Sequence, residues 1–121
     1  MPANRPIVIV ESPYKGNVER NVAYARAAVR DCILRGEAPF ASHLLYTQDG
    51  VLDDGIPEER TLGILTGFAF ARVADSVVVY RDLGISSGMA LAIAARHKEG
   101  ANIEFRSLPD WAGQPKEPTC E

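Results

Sequence analysis

Two short runs of β-branched residues, Ile7-Val8-Ile9-Val10 and Val77-Val78-Val79, constrain this chain more than any other feature. A strand with one wet face alternates apolar and polar side chains. A run that is apolar on both faces suits a strand covered above and below, as in the middle of a parallel sheet. Helical stretches fill the spaces around these strands. Asn17 can cap a helix whose apolar positions, Val18, Val22, Ala25, Ala28 or Val29, Cys32 and Ile33, recur at helical spacing up to a stop at Gly36. Pro57-Glu58-Glu59 reads as the first turn of a second helix reaching about Ala74 through Leu62, Leu65, Phe68, Ala69 and Val73. Ser87 opens a third, alanine-rich helix that ends at Gly100. Ala38-Pro39-Phe40-Ala41 is a weak strand candidate, and Asn102-Ile103-Glu104-Phe105-Arg106 alternates like a strand near a sheet edge.

The resulting order, β-α-β-α-β-α-β, predicts an α/β fold: a Rossmann-like three-layer sandwich on a four- to five-stranded, mainly parallel sheet with right-handed crossovers. At 121 residues the chain fits one domain, with an ordered core over about residues 6–108. The tail from Pro109, with Gly113, Pro115 and Pro118, is expected to be ordered only in part and flexible towards its end.

Composition narrows the function by exclusion. The formal net charge is -3 and no basic stripe stands out, so a nucleic-acid polymer is not the expected partner. No apolar run approaches the ~18 residues of a membrane span, and the start MPANRP carries no apolar signal core. A cytoplasmic protein with no membrane partner is the expectation. The two cysteines, Cys32 and Cys120, form no C-x-x-C pair; they read as free thiols, and neither a metal nor a cofactor is expected.

In open parallel sheets ligands bind beyond the carboxyl ends of the strands, where the strand order reverses. Three segments qualify. After the first strand come Glu11, Ser12, Pro13 and Tyr14: a carboxylate at the sheet rim can take a ribose hydroxyl or act as a base, and a tyrosine can stack on a heterocycle. The plainer role for Glu11 is an ion pair with Arg20 or Lys15. Residues 42–55 show no clear period and hold His43, Tyr46, Gln48, Asp49, Asp53 and Asp54. These side chains can recognise a sugar or polar heterocycle, although His43 beside Leu44 and Leu45 also fits a structural place. The third segment runs from Asp82 through Gly84, Ser86, Ser87, Gly88 and Met89 into a helix. Small residues there expose backbone N–H groups at the positive end of the helix dipole, which suits a phosphate or carboxylate; a simple serine cap is the structural alternative. Asp75 reads as a turn residue ahead of a strand.

Taken together, Ile9-Val10-Glu11-Ser12-Pro13-Tyr14, Val73-Ala74-Asp75-Ser76-Val77-Val78-Val79 and Gly84-Ile85-Ser86-Ser87-Gly88-Met89 resemble the nucleoside 2-deoxyribosyltransferase-like superfamily, over about residues 7–107. The stretch from Gly36 to Gln48 is similar to a branch of small phage and actinobacterial proteins. The resemblance implies a Rossmann-like sheet and handling of nucleosides or nucleotides at the N-glycosidic bond. It also implies a phosphate on Ser86-Ser87-Gly88, and a nucleophilic glutamate on the last helix that attacks the sugar C1′. That glutamate falls at position 90 or 92. Both are alanine, and no acid follows on the helix before Glu99.

Two functions follow as expectations. The first is a non-catalytic binder of a nucleotide or nucleotide-derived molecule, such as a sponge or sensor, in the host cytoplasm if phage-encoded. The alternative is an N-glycosidase or deoxyribosyltransferase with Glu11 as its catalytic carboxylate. Superfamily enzymes assemble from several copies with a neighbour completing the pocket, so a homo-oligomer is expected; Leu62, Leu65, Phe68 and Phe70, spread round the second helix, offer apolar surface for it.

Overall fold

The computed structural model describes residues 4–112, apart from the side chains of residues 110 and 112. Gly113, Pro115, Pro118 and Cys120 lie outside the described residues, as does the start of the MPANRP segment. Nine elements follow in order: β1 (Ile7–Glu11), α1 (Val18–Leu34), β2 (Ala38–Phe40), α2 (Ser42–Leu45), α3 (Pro57–Ala71), β3 (Ser76–Tyr80), α4 (Ser87–Lys98), β4 (Ile103–Arg106) and α5 (Pro109–Ala112).

All four strands are parallel, in the order β2-β1-β3-β4, so the two β-branched runs lie side by side in the centre. Their period of two splits the core. Val8, Val10, Val78 and Tyr80 pack with Tyr24, Ala28 and Cys32 of α1, while Ile9, Val77 and Val79 pack with Met89 and Ile93 of α4 on the opposite face. This is a Rossmann-like α/β sandwich. The chain passes from β1 to β2 on one side and then to β3 on the other, which opens a crevice between the carboxyl ends of β1 and β3.

Local chemistry sets the boundaries. Asn17 caps α1 by accepting from Arg20 N, and Gly36, at φ 90°, ends it. Asp75 has the expected linking role, and a specific one: its Oδ2 accepts from Ile7 N at 2.7 Å, and its own N–H donates to Ile7 O.

Three expectations need correction. The inner face of α1 is rotated from the apolar stripe: Asn21 and Tyr24 are fully buried, whereas Val18 and Ile33 are exposed. Specific hydrogen bonds, described below, account for those two polar residues. The segment after β2 is not wholly irregular, since α2 occupies its start. Finally, α3 stops at Ala71 rather than near Ala74.

Candidate functional site

A cleft of about 840 Å³ opens at the crevice between β1 and β3. That is within the usual size of small-molecule sites. Its walls come from the loop after β1, from α2 and the strap that follows it, from α3, and from the start of α4.

The floor is Glu11 and Ser12. Glu11 ends β1 on the face shared with Ile9, under α4. Burial pushes its carboxyl up to about 7, against the opposing pull of the Arg96 guanidinium. Arg96, rather than Lys15 or Arg20, is thus the cation whose charge reaches Glu11. It is itself 5% exposed, stacked 4.1 Å over the Phe68 ring, with Nε 3.2 Å from Glu99 Oε1 but not aligned for a hydrogen bond. Ser12 Oγ and His43 Nε2 are 2.7 Å apart. Burial pushes the imidazole down to about 4, so His43 is neutral at pH 7, and its tautomer decides which atom donates.

Opposite signs of proton linkage follow. The raised Glu11 contributes stability that is full below about 4.5 and lost as pH rises through about 7. The depressed His43 contributes stability present above 6.5 and lost as pH falls through about 4. Glu11→Gln is therefore expected to remove part of the fall in unfolding free energy between these two Glu11 values. Urea titrations of both proteins across that range check it; an unchanged difference at every pH would contradict a buried Glu11.

Ser86 is the N-cap of α4. Its Oγ accepts from Met89 N at 3.2 Å, and its own N–H contacts Met89 Sδ at 3.4 Å. The serine cap and the anion site are not alternatives, however. The cap occupies Met89 N, and Ala90 N bonds Ser86 O, while the N–H groups of Ser87 and Gly88 have no acceptor among the described residues. Beside them stands Arg60 from α3, whose Nη2 lies 3.6 Å from where a Cβ on Gly88 would be. Among the described residues the Arg60 guanidinium has no hydrogen-bond or ion-pair partner. Sequence reasoning missed it, because a charged residue in the first turn of an amphipathic helix looks like solvent-facing surface.

Glu11, Ser12, Tyr14, His43, Tyr46, Ser86, Ser87, Gly88 and Met89 come together around the cleft. Pro13, Asp82 and Gly84 do not line it. Pro13 is fully buried. Gly84 provides a turn at φ 91°. Asp82 is spent on structure: its Oδ2 accepts from Tyr24 Oη and Leu108 N, each at 2.7 Å, and its N–H donates back to Tyr24 Oη. Asn21 does the same for the first loop, donating from Nδ2 to the carbonyls of Tyr14 and Lys15. The two buried polar residues of α1 therefore hold the two loops that flank the crevice.

The wall from α3 includes Gly63, Ile64 and Phe68, and the strap adds Leu52. Two glycines one turn apart set how closely α3 is approached. A Cβ on Gly63 would stand 3.4 Å from Leu52 Cδ1, and one on Gly67 would stand 3.4 Å from Ser42 Cβ and Oγ. Tyr46 is braced edge-on against Phe40, which stacks on Phe70 at 4.2 Å. Of the two alanines considered for the nucleophile position, Ala92 lines the cleft, whereas Ala90 faces a separate apolar groove against β4. Among the described residues no cluster of His, Cys, Asp or Glu could hold a metal ion, and no helix is long and apolar enough to cross a membrane.

A family model described as a domain of unknown function, DUF7768, matches residues 6–106, which takes in all four strands and the whole cleft wall. The chain belongs to the DUF7768 family. No curated protein matches the sequence of this DUF7768 domain. Its fold is similar to a solved structure from work characterising a 2-deoxyribosyltransferase of the psychrotolerant bacterium Bacillus psychrosaccharolyticus. The TM-score is 0.59 at 18% identity, covering 95% of the DUF7768 chain and 77% of the other. At that identity the likeness concerns the fold alone, a Rossmann-like α/β architecture.

Proposed function

We propose that the cleft binds a nucleotide and holds it without cutting it, as a sponge or sensor does. The observation that carries this reading is the pairing of Arg60 with the open N–H groups of Ser87 and Gly88 at one end of the cleft. A guanidinium beside a helix N-terminus is a phosphate-sized, doubly favourable anion environment. The sugar then lies over Glu11 and the Ser12–His43 pair, and the base lies against Tyr46, Ile64, Phe68 and Leu91. The architectural neighbour adds support of a coarser kind, since its enzyme is described as a biocatalyst for nucleoside synthesis. Calorimetry with matched nucleosides and nucleotides tests the reading. Nucleotides are expected to bind roughly ten- to a hundred-fold tighter than their nucleosides, the range for a charge-assisted contact set. Equal affinity, or no heat with any nucleotide, would overturn it.

Holding rather than cutting follows from Ala92. It occupies the cleft wall on α4 where a carboxylate could reach a sugar, and it cannot attack one. The position of Glu11 favours a second reading, N-glycosidic cleavage or transfer, because a half-protonated carboxyl on the cleft floor can act as acid or base near neutral pH. Chromatography of the calorimetry samples separates the two: intact nucleotide supports binding, and free base that disappears in Glu11→Gln supports catalysis.

A further inference from the structure

Strand β4 lies at one side of the sheet, and among the described residues nothing pairs with its outer edge. Val77 N donates to Asn102 O and Arg81 N to Arg106 O, so alternate residues from Asn102 to Arg106 spend their backbone groups on β3. The residues between them, Ile103 and Phe105, therefore turn their N–H and C=O groups outward. Their side chains line an apolar groove of about 510 Å³, whose opposite wall is Ala90, Ile93, Ala94 and His97 of α4. Those four recur at helical spacing on one face, and the two small alanines give the groove its depth. Phe105 is 43% exposed there.

An open edge strand beside a helix-walled apolar groove fits an extended peptide, which pairs through its main chain and lowers alternate side chains into the groove. A helix or a folded surface would leave the outward N–H and C=O groups unpaired. Charge sets the ends of the peptide. From α4 to the end of β4 the carboxylates are Glu99 and Glu104, and each is paired with an arginine, Glu99 with Arg96 and Glu104 with Arg106. The open charges are positive. Lys98 stands where the chain leaves α4 for β4, and Arg81 stands past the end of β3, 5.4 Å over the Phe105 ring. Neither has an ion-pair partner among the described residues. A segment that is acidic at both ends complements them.

We propose that the groove between α4 and β4 docks an extended segment of another protein, apolar at alternate positions and acidic at both ends, which adds to the sheet beside β4. The groove shares no lining residue with the cleft, so the proposal stands apart from the nucleotide reading.

Fluorescence anisotropy on the full chain tests it, with a labelled peptide of alternating valine and threonine that carries two glutamates at each end. Micromolar binding is expected, about tenfold tighter than for the same peptide with lysine ends, and the gap is expected to narrow in high salt. Phe105→Ala removes part of the groove wall. Phe105→Pro also removes the outward N–H, at no cost to the ladder with β3, and is expected to bind roughly tenfold more weakly again. N-methylation of one alternate set of peptide amides, which leaves the protein untouched, is expected to abolish binding, and methylation of the other set to spare it. Arg81→Glu/Lys98→Glu is expected to reverse the preference towards lysine ends. No binding of the glutamate-ended peptide at roughly millimolar protein overturns the proposal. Binding indifferent to amide methylation or to the charge reversal overturns it too. So does self-association of the chain that Phe105→Pro abolishes, because the edge then serves a second copy.

Discussion

Arg60→Ala is expected to weaken nucleotide binding by roughly ten- to a hundred-fold, which corresponds to ~1.5–3 kcal/mol for hydrogen bonds to a charged group. It should leave the affinity for the matching nucleoside nearly unchanged, so that the preference for the phosphorylated ligand collapses in the variant. Thermal stability is expected to stay within ~0.5 kcal/mol of the parent, because a half-exposed arginine whose guanidinium has no partner among the described residues contributes little to folding. Calorimetry on the two ligands against both proteins closes the cycle. Equal losses for nucleoside and nucleotide would mean that Arg60 shapes the wall and does not touch the phosphate.

Arg106→Ala is expected to act on folding instead, and more strongly. Arg106 is 6% exposed at the end of β4. Its Nη1 and Nη2 donate to the two oxygens of Glu37 at 2.8 and 2.6 Å, Nε donates to Glu104, and Nη1 also donates to Tyr80 Oη. Tyr80 in turn donates to Asp31 at the end of α1. Removing the guanidinium leaves a largely buried carboxylate without its cation, a defect that costs ~3–5 kcal/mol. Urea denaturation reads this directly. The acid response supplies a second signature. The hydrogen bonds and charge of Arg106 hold the Glu37 carboxyl below its usual range. The stability this provides is present above 4.5 and lost as pH falls through the depressed value. In Arg106→Ala that acid loss is expected to shrink; if it persists in full, the coupling lies elsewhere.

The layered fold was readable because its two central strands are apolar on both faces, a pattern only a covered parallel sheet accommodates. With the sheet came the crevice, and with the crevice Glu11, Ser12 and the turn at Ser86. What escaped was chemistry that crosses elements. Asn21 and Tyr24 look like breaks in the helix stripe until Tyr14, Lys15 and Asp82 stand beside them. Asp82 looked like a ligand group because it sits in the ligand loop, yet its carboxylate is consumed by Tyr24 and Leu108. Arg60 was invisible for the converse reason: nothing in its neighbourhood along the chain suggests that α3 brings it to Gly88, since that encounter exists only in three dimensions.

The two glycines of α3 have a meaning beyond packing. Where α2 rests near Gly67, a Cβ would just reach contact with Ser42, at 3.4 Å, and His43 rides on that helix. A methyl group there would bring α3 into direct contact with Ser42 of α2 and fill the space behind His43, without altering any residue that lines the cleft. The seat of His43 is thus set in part from the far side of the cleft wall, by a residue that does not line the cleft.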